Sequence, residues 1–236
     1  MLVCDCVNWT AEIGKTMVKL NDAKLSAVLE REHAASLEQK KNRRAAWEAS
    51  GRPAGMNPQK MDFRISDFHR TNYLSIGPAE GRFMYGQILA KGAKEIVEFG
   101  TSFGISTLYL AAAAAETGGR VTGSEFHPEK ADRALSNLVA AGLEADIRVG
   151  DALETLAGEG PEIDFLFLDG AANLYVPVLD LLEPRLRPGS VIVADNIPVA
   201  KDEGHVLLDA LQDRQEAYVT SIVSFGQSGM SYSVRL

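Results

Sequence analysis

The chain has 236 residues, 46% of them hydrophobic, and its 32 acidic residues outnumber 24 basic ones to give a net charge of −8. This length allows one large domain, or one domain with an arm. The negative charge disfavours nucleic acid and an anionic membrane surface as main partners, and it favours a small-molecule substrate.

The N-terminal residues carry no signal for export or membrane insertion. Cys4 and Cys6 lie one residue apart, so a bridge between them would be strained, and the sequence has no second pair to complete a zinc site. Polar residues interrupt the apolar opening, and no apolar run of about 18 residues occurs in the chain. We therefore expect a cytoplasmic protein that does not insert into a membrane.

A charged helical segment from Lys19 to Ser50 comes next. Its only apolar stripe consists of four positions, Leu20, Leu25, Val28 and Leu29. This pattern predicts a solvated helical arm. Residues 51–59 (GRPAGMNPQ) contain two Gly and two Pro, which indicates a linker. We therefore divide the chain into an arm and linker over residues 1–60 and a compact domain over residues 61–236.

The compact domain alternates strand-like apolar runs with helical stretches. The strand-like runs are Glu95–Phe99, Arg120–Glu125, Ala145–Val149, Ile163–Asp169 and Ser190–Asp195. The helical stretches are Ile105–Glu116, Pro128–Ala141, Ala152–Ala157, Tyr175–Arg187 and Gly204–Glu216. Strands that are apolar on both faces and separated by helices predict a doubly wound α/β fold with a mostly parallel sheet covered on both sides.

The end of the chain breaks this alternation. Two strand-like runs, Ala217–Phe225 and Met230–Leu236, are separated by GQSG, which is too short for a crossover helix. They therefore predict an antiparallel hairpin. A mostly parallel sheet of seven strands that ends in such a hairpin is more typical of methyltransferases than of nicotinamide dehydrogenases, by analogy of fold.

A glycine loop follows the first predicted strand, in EIVEFGTSFGIST (residues 95–107). Gly100 and Gly104 would let the backbone turn tightly and approach a ligand at a helix N-terminus. A dinucleotide fingerprint needs glycine at the first, third and sixth positions, but here Ser102 and Ile105 occupy the third and sixth. The spacing therefore disfavours a nicotinamide cofactor, although a turn without any ligand stays open.

Three acidic residues lie near strand ends. Glu98, two residues before Gly100, can face the ammonium of an amino-acid ligand, which suits S-adenosylmethionine better than a pyrophosphate. Glu125 ends the second strand and can accept hydrogen bonds from both hydroxyls of a ribose. Asp151, followed by Ala152, can meet the edge of an adenine or cap the next helix.

These features together resemble the class I S-adenosylmethionine-dependent methyltransferases. They are most similar to the cation-dependent O-methyltransferases, which include the catechol and caffeoyl-coenzyme A O-methyltransferases. The resemblance covers about residues 70–236, and SIGPAEG (residues 75–81) is similar to the segment that closes over the methionine part of the cofactor. The resemblance implies cofactor contacts at Ser75, Ile76, Glu98, Gly100, Thr101, Ser102, Gly104, Ser106, Glu125, Phe126, Asp151, Ala152 and Asp169.

The most specific match is formed by Asp169 at the end of one strand and Asp195-Asn196 at the end of the next. Two carboxylates and an amide oxygen at neighbouring strand ends suit Mg²⁺ or a similar hard cation. Such an ion would lower the pKa of a substrate hydroxyl. Asp195 and Asn196 could instead cap a turn or the next helix.

One position departs from the family pattern. The family usually has a lysine three residues after Asp169, but this chain has Ala172, and Tyr175 matches a common family tyrosine and so supports the register. Three interpretations stay open. The metal acidifies the hydroxyl with water as proton acceptor, or His69 or Lys201 acts as the base, or catalysis has been lost.

We therefore expect an O-methyltransferase that uses S-adenosylmethionine and a divalent cation to methylate a small catechol-like or phenolic molecule. The family also implies a homodimer, which the arm could form. The alternatives are a non-catalytic S-adenosylmethionine-binding protein and, less favoured, a nicotinamide-dependent oxidoreductase.

Overall fold

The computed structural model describes residues 19–49, 61–199, 204–226 and 228–236. The predictions for Cys4, Cys6, Lys201 and the linker therefore fall outside the described residues. The helices are α1 (Ala23–Ala49), α2 (Asp67–Thr71), α3 (Pro78–Lys91), α4 (Ile105–Thr117), α5 (Pro128–Ala141), α6 (Ala152–Thr155), α7 (Tyr175–Leu182) and α8 (Val206–Asp213). The strands are β1 (Glu95–Phe99), β2 (Arg120–Glu125), β3 (Asp146–Val149), β4 (Ile163–Leu168), β5 (Leu186–Ile197), β6 (Tyr218–Phe225) and β7 (Ser228–Arg235).

The seven strands form one sheet in the order β3-β2-β1-β4-β5-β7-β6. Strands β1 to β5 are parallel, and β7 lies antiparallel to both β5 and β6. The predicted α/β sheet with a C-terminal antiparallel hairpin is therefore confirmed. Among the described residues, no helix is long and apolar enough to cross a bilayer.

Helices cover both faces of the sheet because its central strands are apolar on both sides. All six residues of β4 are buried. Phe165 and Phe167 point into the core on the side of α3, α4 and α5, whereas Leu166 and Leu168 join α6, α7 and α8 on the other side. This alternation is the two-residue period of a strand. Because helices cover both faces of the sheet, the carboxyl ends of the strands are the place where a site can form.

Helix α1 is docked on the domain, so the prediction of a solvated arm is wrong for this helix. Leu25, Val28 and Leu29 are buried in the same core as α4 and α5. Beyond them Glu32 is fully buried and accepts hydrogen bonds from three side chains, Arg31, Arg133 and Tyr73. The division of the chain at residue 60 stays a prediction, since that residue lies outside the described part.

The buried Glu32 explains why the docked face was missed. A charged side chain is expected to face solvent when only its own helix is considered. Although burial opposes it, hydrogen bonds from Arg133, Tyr73 and Arg31 hold the pKa of Glu32 below its ordinary value. Two of its three donors, Arg133 and Tyr73, come from distant segments, so the sequence of the helix alone does not reveal them.

The segment between β4 and β5 also differs from the prediction. Helix α7 ends at Leu182 and a 3₁₀ turn, Glu183–Arg185, follows it, whereas the predicted helix continues to Arg187. Pro184 stands in that turn, and a proline cannot donate the backbone hydrogen bond that a longer helix needs. Strand β5 consequently begins at Leu186, four residues before the predicted start.

Candidate functional site

A cavity of about 480 Å³ opens at the carboxyl ends of strands β1 to β5. Ten of the predicted site residues line it: His69, Ser75, Gly100, Ser102, Glu125, Phe126, Ala152, Asp169, Asp195 and Asn196. Six others do not line it: Ile76, Glu98, Thr101, Gly104, Ser106 and Asp151. The structure therefore brings most of the predicted residues together at one edge of the sheet.

The glycine loop after β1 needs its glycines for two different reasons. Gly100 has φ of 98°, and a Cβ there would lie 2.5 Å from the carbonyl oxygen of Asp169, so no larger residue fits beside β4. Gly104 has φ of 86° and caps α4, where a Cβ would lie 2.9 Å from Ala134 of α5. Gly100 thus lines the cavity, whereas Gly104 allows two helices to pack closely.

Glu98 lies beneath this loop, away from the cavity. Its fully buried carboxylate accepts hydrogen bonds from the hydroxyls of Thr101, Ser106 and Thr107. Burial raises the pKa of Glu98 to about 7, against the effect of these hydrogen bonds. In this structure the Ser106 hydroxyl donates a hydrogen bond to the Glu98 carboxylate, so the predicted contacts of both residues with a cofactor stay predictions.

Glu125 joins the end of β2 to the same loop. One of its carboxylate oxygens accepts a hydrogen bond from the Ser102 amide at 2.7 Å, and the other accepts one from the His127 amide at 2.9 Å. Each carboxylate oxygen has a further lone pair, so Glu125 can still accept hydrogen bonds from a ligand in the cavity. Its ribose contact stays a prediction that this geometry permits.

The structure shows Asp151 as a helix cap, and its contact with the edge of an adenine stays a prediction. This carboxylate caps α6 by accepting the Leu153 amide at 3.0 Å, and it also accepts a hydrogen bond from Arg64 at 2.8 Å. Asp151 is therefore a helix cap that does not line the cavity. Its neighbour Ala152 does line the cavity, as does Phe126, whose ring packs edge-on against Phe63.

Asp169, Asp195 and Asn196 lie together at the ends of β4 and β5, as predicted. The Asn196 side-chain amide donates a hydrogen bond to Asp169 Oδ1 at 3.0 Å. The pairing of β5 with β7 shifts register between Ala194 and Ile197, and Asn196 has φ of 61°. This bulge directs the Asp195-Asn196 pair out of the regular sheet ladder, which is a common way to place side chains beside a site.

Both aspartates have perturbed acidity. Burial, and then the negative charges of Asp195 and Glu98, raise the pKa of Asp169 well above its ordinary range. Burial raises the pKa of Asp195 to about 6. No group of three or more His, Cys, Asp or Glu suited to a metal occurs among the described residues, so a cation here would depend on two carboxylates and the amide of Asn196.

The proton acceptor is less evident. Ala172 begins a 3₁₀ turn in the cavity wall and cannot take up a proton. His69 also lines the cavity, and its Nδ1 atom is buried without a hydrogen-bond partner among the described residues. Burial, together with the nearby charges of Lys130 and His127, lowers the pKa of His69, so this imidazole is neutral at neutral pH. Lys201, the other predicted base, lies outside the described residues.

Three basic residues of the cavity wall were missed by sequence reasoning, namely Lys40, Arg43 and Lys130. Lys130 is only 3% exposed, and its Nζ atom lies 3.2 Å from Ser102 Oγ. The signal for it was present, because Lys130 falls on the buried face of α5 with Ala131 and Ala134. Lys40 and Arg43 belong to α1, which the sequence predicts to be a solvated arm.

Comparisons with known proteins find similarity to methyltransferases. A protein-family model described as a methyltransferase domain matches residues 97–197. A catechol O-methyltransferase of Niastella koreensis is 36% identical over 133 residues, which are 52% of this chain and 58% of that protein. A catechol O-methyltransferase of Mycobacterium tuberculosis is 33% identical over 135 residues, which are 56% of this chain and 61% of that protein. The chain thus matches little more than half the length of these relatives.

Solved structures with the same fold cover nearly the whole chain. An O-methyltransferase from Bacillus cereus in complex with SAH has a TM-score of 0.61 and 24% identity, and the match covers 95% of this chain and 93% of that one. Cofactor-bound Rv0187 from MTB has a TM-score of 0.62 and 25% identity, with coverage of 91% and 90%. Residues 97–197 are therefore similar to a methyltransferase domain, and the chain has the fold of these O-methyltransferases of known structure.

Proposed function

We propose that the protein transfers a methyl group from S-adenosylmethionine to a hydroxyl of a small catechol-like or phenolic molecule, with a divalent cation held by Asp169, Asp195 and Asn196. The observation that carries this proposal is that one cavity contains the glycine loop, Glu125 and the carboxylate pair. The names of the two bacterial relatives support the choice of acceptor.

The order of the strands supports the placing of the methyl donor. Ala152, Glu125 and Gly100 line the cavity at the ends of the neighbouring strands β3, β2 and β1. S-adenosylmethionine consists of adenine, ribose and methionine joined in that order, so it fits this sequence of contacts. Strands β4 and β5 come next in the sheet, and they carry Asp169 and Asp195. The acceptor would then lie beyond the methionine part of the donor.

The residues at the ends of β4 and β5 fit a hard cation. Asp169 and Asp195 repel each other when both are ionised, so a positive charge between them would stabilise the ionised pair. Asn196 now donates to Asp169, and rotation of its amide by half a turn would present an oxygen instead. When bound, the cation supplies positive charge that favours loss of the proton from an acceptor hydroxyl.

The chain itself offers one group for that proton. His69 is neutral and lines the cavity, and its Nδ1 atom has no hydrogen-bond partner in the part of the chain that the structure describes, so it can accept a proton directly or through a water molecule. Solvent in the cavity is the other acceptor. A His69→Gln variant distinguishes the imidazole from solvent as the proton acceptor, since methyl transfer is reduced only if the imidazole takes the proton.

A second candidate function is favoured by Ala172. A protein that binds S-adenosylmethionine without transferring its methyl group needs the cofactor loop but no base and no metal. Calorimetric titration with S-adenosylmethionine and with NAD, followed by a methyl-transfer screen over catechols and phenols, distinguishes the possibilities. We expect binding of S-adenosylmethionine, no binding of NAD, and transfer to a catechol. Cofactor binding without transfer to any acceptor would favour the non-catalytic function.

A further inference from the structure

Helix α1 carries a stripe of polar side chains in addition to its buried apolar positions. Successive members of the stripe are four, three, one and three residues apart, so they lie on one face of the helix. They are Glu32, Ser36, Gln39, Lys40 and Arg43. All five form hydrogen bonds to residues 71–75, which connect α2 to α3. The polar stripe is therefore a contact surface inside the protein.

Gln39 holds the backbone of this segment at two points. Its side-chain oxygen accepts a hydrogen bond from the Tyr73 amide at 2.6 Å, and its side-chain amide donates one to the Thr71 carbonyl oxygen at 3.1 Å. A glutamine side chain carries one acceptor and the N–H donors of an amide, as a peptide unit does. Gln39 therefore pairs with residues 71 and 73 as a residue of a neighbouring strand would. Residues 73–77 themselves belong to no helix or strand.

The segment that Gln39 holds is part of the cavity wall. Tyr73, Leu74 and Ser75 all line the cavity, whereas Gln39 does not. The ring of Tyr73 also packs on the ring of Phe103 in the glycine loop, with 4.5 Å between the ring centroids. The position of residues 71–75 therefore affects both the wall of the cavity and the loop beside it. Gln39 can influence a ligand in the cavity only through this segment.

We propose that Gln39 is a positioning residue of the methyl-donor site, which fixes the backbone of residues 71–73 so that the cavity wall is formed before S-adenosylmethionine binds. This inference rests on the proposed function. Within the described part of the chain, no other residue of α1 hydrogen-bonds to the backbone of residues 71–73. A wall that is already ordered loses little conformational entropy when the ligand binds, so its order contributes to affinity.

The variant Gln39→Met tests the proposal, because methionine keeps an unbranched stem and lacks the amide. Hydrogen exchange followed by NMR, without ligand, measures the protection of the Tyr73 amide relative to that of Ile96 in the central strand β1. We expect the Tyr73 amide to exchange about tenfold faster in the variant on this relative scale, as loss of a hydrogen bond suggests. Calorimetric titration should show S-adenosylmethionine binding about tenfold more weakly.

Two control variants on α1 separate positioning from the docking of the helix. Glu38→Met changes the exposed neighbour of Gln39 and should alter neither the exchange nor the affinity. Val28→Ala removes buried methyl groups from the apolar face of α1, so it should lower the melting temperature but leave the relative exchange and the affinity unchanged. Alanine is the best helix former, so Gln39→Ala is a second variant with the same expected results if Gln39→Met does not fold.

The proposal is overturned if the relative exchange of the Tyr73 amide is the same in Gln39→Met and in the unaltered protein. Faster exchange with unchanged S-adenosylmethionine affinity would also overturn it, as would an equal loss of affinity in Val28→Ala, which would show a purely structural role. A lack of methyl transfer to every acceptor would refute the proposed function alone, because exchange and affinity are measured without an acceptor. If the unaltered protein does not bind S-adenosylmethionine, both are refuted.

Discussion

Replacing Glu98 by glutamine should abolish the contribution of this carboxyl group to the pH dependence of the unfolding free energy. The Glu98 carboxylate is fully buried beneath the glycine loop, and burial raises its pKa from 4.5 to about 7. The folded protein therefore binds the proton more tightly than the unfolded chain does. This contribution to stability is fully present below pH 4.5 and is lost as the pH rises toward about 7.

The size of the effect follows from the shift. One pKa unit corresponds to about 1.36 kcal/mol, so the unfolding free energy should fall by about 2.5 kcal/mol between pH 5 and pH 8 because of Glu98 alone. Glutamine keeps the shape of the side chain, and the hydroxyls of Ser106, Thr101 and Thr107 can accept hydrogen bonds as well as donate them. The Glu98→Gln variant should therefore lack this loss of stability.

Urea unfolding of both proteins at pH 5 and pH 8, without ligand, measures the difference. Groups that do not interact with Glu98 titrate equally in the two proteins, so the comparison isolates Glu98 together with its effect on Asp169, whose pKa its charge raises. Glu216→Gln, at an exposed position, is the control and should follow the unaltered protein. The reasoning is refuted if Glu98→Gln has the same pH dependence as the unaltered protein. The reasoning is also refuted if the unfolding free energy, compared with that of the variant, is greater at pH 8 than at pH 5 for the unaltered protein.

Three further substitutions test the site and its support. Gly100→Ala should abolish cofactor binding in calorimetry and lower the melting temperature, because residue 100 has φ of 98° and its Cβ would collide with the backbone of Asp169. The control Gly86→Ala has open space around the new Cβ and should change neither cofactor binding nor the melting temperature. Glu32→Gln should cost about 2 kcal/mol in urea unfolding by weakening the buried contacts of α1, and Glu30→Gln at an exposed position should cost less than about 0.5 kcal/mol. Glu125→Gln should weaken S-adenosylmethionine binding about tenfold in calorimetry, and unchanged affinity would remove Glu125 from the ribose site.

Elements bounded by local signals were predicted well. Helix α5 begins at Pro128 and ends before Gly142, which has φ of 71°, and both ends match the prediction. Strands β1 and β2 also match, because glycines and polar residues bracket their apolar runs. Asp169 and Asp195-Asn196 were predicted to meet because the carboxyl ends of parallel strands share one edge of a sheet. These features depend on residues that lie close together in the chain.

Features that depend on distant contacts were missed. The docking of α1 requires Glu32 to be buried with partners from two other segments, and no periodicity within the helix signals that. The basic side of the cavity was missed for the same reason, since Lys40 and Arg43 reach the cavity only once α1 is docked. The role of Asp151 was also hard to predict, because a helix-capping aspartate and a cofactor-binding aspartate have the same sequence pattern. They differ only in which hydrogen-bond donor lies nearby.

The most direct test of the proposed function is the rate of methyl transfer from labelled S-adenosylmethionine to catechol, with Mg²⁺ and with excess chelator. The proposal predicts labelled methylated product with Mg²⁺ and little product with chelator. It also predicts loss of product in Asp195→Asn with S-adenosylmethionine binding retained in calorimetry. If chelator does not reduce the amount of product, the cation at Asp169 and Asp195 is contradicted. If the protein binds S-adenosylmethionine but forms no product under any condition, methyl transfer to catechol itself is contradicted.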